Sequence, residues 1–597
     1  MSHVFRSGFI ASCLVLAACS GGGPSDPAPS DPPAPPPPPS SAAISPSFET
    51  TSSTARFLAK AGFGARAADI NRLTGTEASD WVLDQFNTEP SLITPGMRAY
   101  HGGLIADRDQ PAAGLVYGLA PTLTWWTNAI HGEDQLRQRV AFALSQILVT
   151  SRRDPVLDFH PEAMAYYMDV LNENAFGNYR DLLEDVTYSP AMGVYLTYRG
   201  NQKADPETGR MPDENYAREI LQLFTVGLVE LNPDGTPVVS GGQARELFDN
   251  DDITGLARVF TGLNLEFNRD EERSYYDRPM QVYPYNHSEQ AKSFLGLTIP
   301  ANTPAEESID QALDHIMAHP NVGPFVSRQL IQRLVTSNPD VDYVERVSRA
   351  FDTGQFTLPN GVRVGDGRKG DMQATISAIL FDPDAEPDNA LGRNDFGKIR
   401  EPVLRFIHWA RAFEVNARQP ELVWDIWDTS SPESLSQGPF LSPSVFNFYR
   451  PGYVPPRTEA GDRGMTVPEM QIVNATSTVG YVNFMTYFVA RREGEWGHQE
   501  MIDFIGQGYP VDETAAPRAY VAGYETEMAL AHAPEDLADH LNALLVEGQM
   551  TNTTRQIVID AVNNIPLDDP NDQDARRYRV EMAVMITMTS TDYLVQR

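Results

Sequence analysis

Cysteine is almost absent from this chain: Cys13 and Cys19 are the two, and both stand near its start. Beyond them the sequence offers no thiolate nucleophile, no cysteine zinc site, no disulfide and no haem-attachment motif. Positive charge is scarce too. Lys and Arg number 46 against 80 Asp and Glu, a net charge of −34. That balance argues against nucleic acid, whose phosphates call for a basic surface, and against broad contact with anionic lipid. There is no Gly-x-Ser-x-Gly elbow, no His-Glu-x-x-His, no Gly-Lys-Ser/Thr phosphate loop and no dinucleotide fingerprint. No cofactor and no metal set are therefore expected. Internal repeats are lacking as well, and clear alternating strands are few. Long apolar runs are missing, since the run from Phe9 to Ala18 is too short to span a membrane.

That short run has another use. Arg6 precedes it, and it ends in Leu16-Ala17-Ala18-Cys19. A positive start, an apolar core and small residues before a cut read as a signal peptide. The last four residues resemble a bacterial lipobox, which implies cleavage after residue 18 and lipid on Cys19. Ser20, where an aspartate would stand in inner-membrane lipoproteins, resembles the class sorted to the Gram-negative outer membrane. Residues 19–48 are rich in Pro, Gly, Ser and Asp, with five consecutive prolines from Pro35 to Pro39. Such a stretch cannot bury a core and favours extended polyproline, so it reads as a tether. Residues 49–597 are then the folded body.

The body is composed like an ordinary folded protein, at 41% hydrophobic, 10% aromatic and 21% charged. Its signals are mostly helical. Thr54 can cap 55–61 before Gly62, and helices are expected at Ala67 to Leu73, Ala78 to Phe86, Pro161 to Leu171 and Arg180 to Val186. Gln135 to Leu148 carries an apolar stripe of Leu136, Val140, Leu144 and Ile147. Asp249 to Asp252 sits where a helix N-terminus wants acceptors, and no EF-hand spacing accompanies it. His315 and His319 stand one turn apart, but Pro320 follows at once, which suits a helix end better than a metal pair. Leu358 to Gly370 is glycine-rich and reads as a short hairpin. The expected fold is mainly α: one large multi-helix body, in one lobe or two, with a minor β-hairpin.

One stretch stands out, Asp213 to Gly227. At ~100° per residue, Tyr216, Ile220, Leu223 and Phe224 share one side. Glu214, Asn215, Arg218, Glu219 and Gln222 share the other, with Glu214 and Arg218 spaced as a helical ion pair. The stripe reads either as a solvated face or as the polar lining of a cleft. Other polar residues also sit inside apolar motifs: Arg258, His287, Lys292, Arg328, Arg333, Arg400, Glu401 and Asn447.

Seven phrases carry a family resemblance: 55–64, 135–146, 215–225, 256–262, 328–339, 400–405 and 442–449, the last reading Ser-Pro-Ser-Val-Phe-Asn-Phe-Tyr. In order and spacing they resemble the bacterial family catalogued as domain of unknown function 1800, from about Ala55 to the end of the chain. The resemblance implies a secreted or envelope protein with a mainly helical fold, and a sulfatase-like secreted protein encoded nearby as a partner. It supplies no activity, cofactor or catalytic residue. Family members often carry His-Asp-x-Gly-x-Lys where this chain has His287-Ser288-Glu289-Gln290-Ala291-Lys292. The histidine and lysine remain, and a role needing the aspartate is lost.

Three readings follow. In the first, a lipid-anchored envelope protein uses its helical body to bind a partner protein or an extracellular polymer. In the second, it is an envelope hydrolase, with Glu219 and His287 moving protons and Asn215, Arg218, Lys292, Arg328, Arg400 and Asn447 binding the substrate. In the third, the charged residues are buried pairs that fix helix register. The hydrolase requires Glu219, His287 and an arginine to share one pocket.

Overall fold

Tetrad-like spacing of apolar residues dominates the chain, and the computed structural model is correspondingly helical. It describes residues 48–97, 111–270, 273–385, 391–415, 426–490 and 520–597. The expected signal segment 1–18 and, apart from Phe48, the tether 19–48 lie outside the described residues, and so does Cys19. Phe48 is buried, and its ring meets Phe57 edge-on at 5.4 Å.

The first helix, Thr51–Ala61, starts earlier than its sequence signal. Thr50 is the cap, in a reciprocal box with Ser53, and Thr54 lies inside, its hydroxyl donating back to the Thr50 carbonyl. The helix ends at Gly62, as expected. Ala67–Leu73 and Ala78–Asn87 follow. Pro161–Glu173 opens on its proline, which suits a first-turn position with no N–H to satisfy. The acidic run does cap a helix, since Asp249 and Asp252 form a box at the start of Asn250–Ala257.

Two helices form the centre. Gln135–Ser145 packs against Ala78–Asn87, Pro161–Glu173 and Val322–Leu334. Its apolar stripe is buried as the periodicity predicts, but Arg137, Gln138 and Arg139 are buried too. Pro402–Ala412 is likewise buried on every side, including Arg405, His408 and Arg411. An amphipathic stripe marks the face that packs, but it does not exclude packing on the others. Here the polar faces are covered because their charges meet partners brought from distant segments.

The β content among the described residues is six two-stranded antiparallel ladders. The expected hairpin is present, Phe356–Thr357 with Arg363–Val364. A second hairpin pairs Lys292–Phe294 with Leu297–Ile299. A third ladder joins Lys398–Ile399 to Val595–Gln596, far apart in sequence. The described body forms one compact unit. No helix among the described residues is long and apolar enough to cross a membrane.

Candidate functional site

The stretch Asp213 to Gly227 is not one α-helix. Asn215–Glu219 is α-helical, and Ile220–Thr225 is a π-helix. The Thr225 hydroxyl donates to the Ile220 carbonyl five residues back, and the Val226 N–H reaches the Leu221 carbonyl at 3.0 Å. The wider turn changes which residues face outward, which is why π segments recur where a helix must present a side chain off its regular register. Gly227 then closes the segment at φ +75°, and a Cβ there would lie 2.8 Å from the Phe325 ring. Both the backbone angle and the approach of Phe325 require glycine.

The π turn forms one wall of an open cleft of about 470 Å³. Gln222, Leu223, Gly227 and Leu228 come from this wall, and Phe325, Gln329 and Arg333 from the helix Val322–Leu334. Val445, Phe446 and the run Arg450 to Val454 supply the opposite wall, and Gln146 and Ile147 line the floor. Asn321 fixes the first wall, donating to the carbonyls of Val226 and Val229 at 2.9 and 2.8 Å and accepting from the Leu231 N–H. Gln332 fixes the opposite wall by donating to the Pro451 carbonyl at 3.0 Å. Four of the seven phrases, 135–146, 215–225, 328–339 and 442–449, thus meet at one place.

Under the floor lies a buried charged network. Gln146 donates to Glu401 at 2.6 Å, and its main-chain carbonyl accepts from Arg333 at 3.0 Å. Gln437 and Lys398 reach Glu401 at 2.7 and 3.1 Å, and Lys398 is 3.6 Å from Glu469. Lys398 and Arg139 both donate to the Arg333 carbonyl. Burial pushes the Glu401 carboxyl up, but Lys398, Arg139 and the bonds from Gln437 and Tyr449 outweigh it and hold the pKa down to about 2. Burial instead raises Glu469. A network of this kind positions the residues above it and tolerates no missing partner.

The remaining candidates are dispersed. Arg218 pairs with Glu214 at 3.7 Å on the solvated side, and Asn215 reaches Thr197 at 3.4 Å. Arg400 is buried and donates to Glu547 at 2.6 Å, so protein groups occupy its guanidinium. Asn447 sits at φ +60° beside a small enclosed cavity of about 30 Å³, accepting from Ser442. Arg328 is half-buried on the Val322–Leu334 helix and has no ion pair among the described residues. His319 is a helix C-cap, and the His315 ring bonds the Leu295 carbonyl.

His287 is buried, with Nδ1 donating to the Thr261 carbonyl at 2.8 Å. A carbonyl only accepts, so Nδ1 carries the proton that faces Thr261. Burial lowers its pKa, and Lys292 adds to the fall. Lys292 is itself buried without a carboxylate partner among the described residues, and burial followed by the charge of Arg258 lowers it. Glu219 is 8% exposed and its Oε2 has no hydrogen-bond partner among the described residues. Burial raises its pKa against the smaller opposing pull of Arg218. No hydrogen bond or ion pair among the described residues joins Glu219 to His287 or to an arginine, and neither lines the cleft.

Glu219 yields a signed expectation. Its folded pKa is raised, so its contribution to stability is full below the unfolded value and is lost as pH rises through the folded one. Glu219→Gln removes that loss. The variant is therefore expected to melt at or above the wild-type temperature at neutral pH, and the two to converge in acid. A drop of several degrees at neutral pH would refute the assignment.

Sequence reasoning singled out Arg333 and placed Gln222 on a polar stripe, but it missed Gln329, Phe446, Arg450 and Tyr453 as parts of one site. The aromatic run 442–449 bounded by Pro451 and Gly452 was the available signal. The model of the family described as protein of unknown function DUF1800 matches residues 56–595. No curated protein and no solved structure matches the chain.

Proposed function

The chain belongs to the DUF1800 family, and from that premise we propose that it is a lipid-anchored envelope protein whose body binds a partner protein or an extracellular polymer through the cleft. The observation that carries this reading is the composition of the cleft. Its lining combines apolar and aromatic faces with amides and arginines, the mixture that fixes a ligand's orientation. Among the described residues that line it there is no carboxylate, histidine or lysine to move a proton. Lipid on Cys19 places the body at a membrane, most simply the outer membrane of a Gram-negative cell, and the tether gives it reach. A sulfatase-like secreted protein encoded nearby is a partner of the proposed kind.

Anchoring is tested by growing cells of a Gram-negative host with labelled palmitate. The wild-type chain is expected to take up label and sediment with membranes, and Cys19→Ser to do neither. Label on the Cys19→Ser chain would overturn the anchor. Binding through the cleft is tested by pull-down from envelope extracts, comparing wild type with Phe446→Ala. Equal capture by both would overturn the role of the cleft.

The hydrolase reading has one supporting observation, the buried and unpartnered Oε2 of Glu219 with its raised pKa. A carboxyl whose burial favours the protonated form is what a general acid needs. It lacks a pocket shared with His287, so the binding reading is preferred.

A further inference from the structure

We infer that the ligand of the cleft is an acidic polysaccharide, a uronate-type chain whose carboxylates meet Arg450, with the buried charge of Arg333 behind the wall, and whose ring faces lie on Phe325, Phe446 and Tyr453. This rests on the binding reading above and narrows it to one class of polymer.

Charge is the first observation. The chain is rich in acidic residues, yet among the described residues none lines this cleft, which carries two arginines. Elsewhere several arginines are engaged by carboxylates, Arg180 by three and Arg393 by three more. Arg450 is exposed and has no carboxylate partner among the described residues. Its guanidinium instead lies over the Phe446 ring at 5.0 Å, which holds it at the cleft wall. A fixed, unpaired guanidinium is a ready partner for a carboxylate.

The second observation is independent of surface charge. Arg333 lines the cleft but is only 4% exposed. Its two terminal nitrogens donate to the carbonyls of Gln329 and Gln146, while its Nε–H is buried with no acceptor. Its guanidinium thus holds a fixed, buried positive charge behind the cleft wall, which favours an anion in front of it.

The uncharged lining selects the polymer. Gln222 has no hydrogen bond among the described residues, and Gln329 spends only its amide nitrogen, weakly, on the Leu223 carbonyl at 3.4 Å. Free primary amides offer a donor and an acceptor side by side, which suits vicinal hydroxyls. The aromatic side chains supply flat apolar faces for sugar rings. Among the described residues no strand borders the cleft, so an extended peptide finds no sheet edge there to join.

The test is calorimetric titration of the full-length chain in detergent with oligogalacturonate, with a neutral gluco-oligosaccharide and a poly-glutamate peptide as comparisons. The variants are Arg450→Gln, which removes an exposed charge, and Phe446→Ala, and each is first checked for an unchanged melting temperature. The expected result is oligogalacturonate binding that weakens with ionic strength and falls about tenfold or more in Arg450→Gln, one charge-assisted contact being worth that much. Absence of uronate binding, binding indifferent to Arg450→Gln, or equal affinity for poly-glutamate would each overturn the inference. Neutral sugar binding that is lost in Phe446→Ala would overturn the acidic ligand while leaving the cleft as a binding site. If Phe446→Ala changes nothing that binds, both fall.

Discussion

Glu401→Gln is expected to destabilise the protein by about 3–5 kcal/mol, the cost of leaving buried charge without its partner. Glutamine keeps the shape and can still accept from Gln146 and Gln437. It cannot neutralise Lys398, 3.1 Å away, or the nearby Arg139, and Lys398 is fully buried. Glu469 alone would face the remaining cations. Urea unfolding at neutral pH measures the loss, and a second variant, Glu401→Gln with Lys398→Met, is expected to recover part of it. The pH dependence has a definite sign. The folded pKa of about 2 lies below the ordinary glutamate value of 4.5, so the contribution is present above ~4.5 and disappears as pH falls toward 2. Wild type should therefore lose stability across that window, and Glu401→Gln should lose less. A variant as stable as wild type at neutral pH would remove the network as the support of the cleft floor.

Gly255→Ala is expected to be destabilising by about 1–3 kcal/mol or more, although alanine in a helix interior ordinarily gains ~0.5–1 kcal/mol over glycine. Gly255 lies in the helix Asn250–Ala257, which packs on the strand Lys292–Phe294. A Cβ there would stand 1.7 Å from the Ser293 carbonyl oxygen and 2.7 Å from its carbon. Both are backbone atoms, so no rotamer change can make room, and helix and strand must part. Gly118 is the contrast: it is also helical, and a Cβ there meets nothing within 4 Å. Gly118→Ala should gain stability by the ordinary amount. If both substitutions shift the urea midpoint in the same direction, the close packing of helix on strand is wrong.

The helices were legible because their information is local. Ala67 to Leu73 has its boundaries in its own residues, and the stripe of Leu136, Val140, Leu144 and Ile147 is a matter of spacing. The mainly α class followed from the sum of such signals. Arg139 was not legible as a buried residue, because what permits its burial is a carboxylate in another segment. Gln146 and Glu401, bonded at the floor of the cleft, are 255 residues apart. The π turn was hidden for a different reason. Its cause is a single hydroxyl, that of Thr225, captured by a carbonyl five residues back, and a 3.6-residue wheel cannot show it. Arg400 read as a free binding residue since Glu547, its partner, stands in no motif with it. The cleft itself was present in the sequence only as four separate phrases with no statement of which would touch.

Arg56, in the first helix, donates to the main-chain carbonyl of Glu547, 491 residues away. Lys398–Ile399 find their strand partner only at Val595–Gln596. These closures set an order of events. As the chain is made or threaded, its leading helices can form but cannot complete their burial, because the groups that satisfy Arg56 and Lys60 have not yet arrived. Pairings over such separations are slow to find and leave apolar surface open meanwhile. A newly made copy therefore spends an extended period as a holdable, unfolded substrate, open to chaperones and proteases, before it becomes the finished molecule.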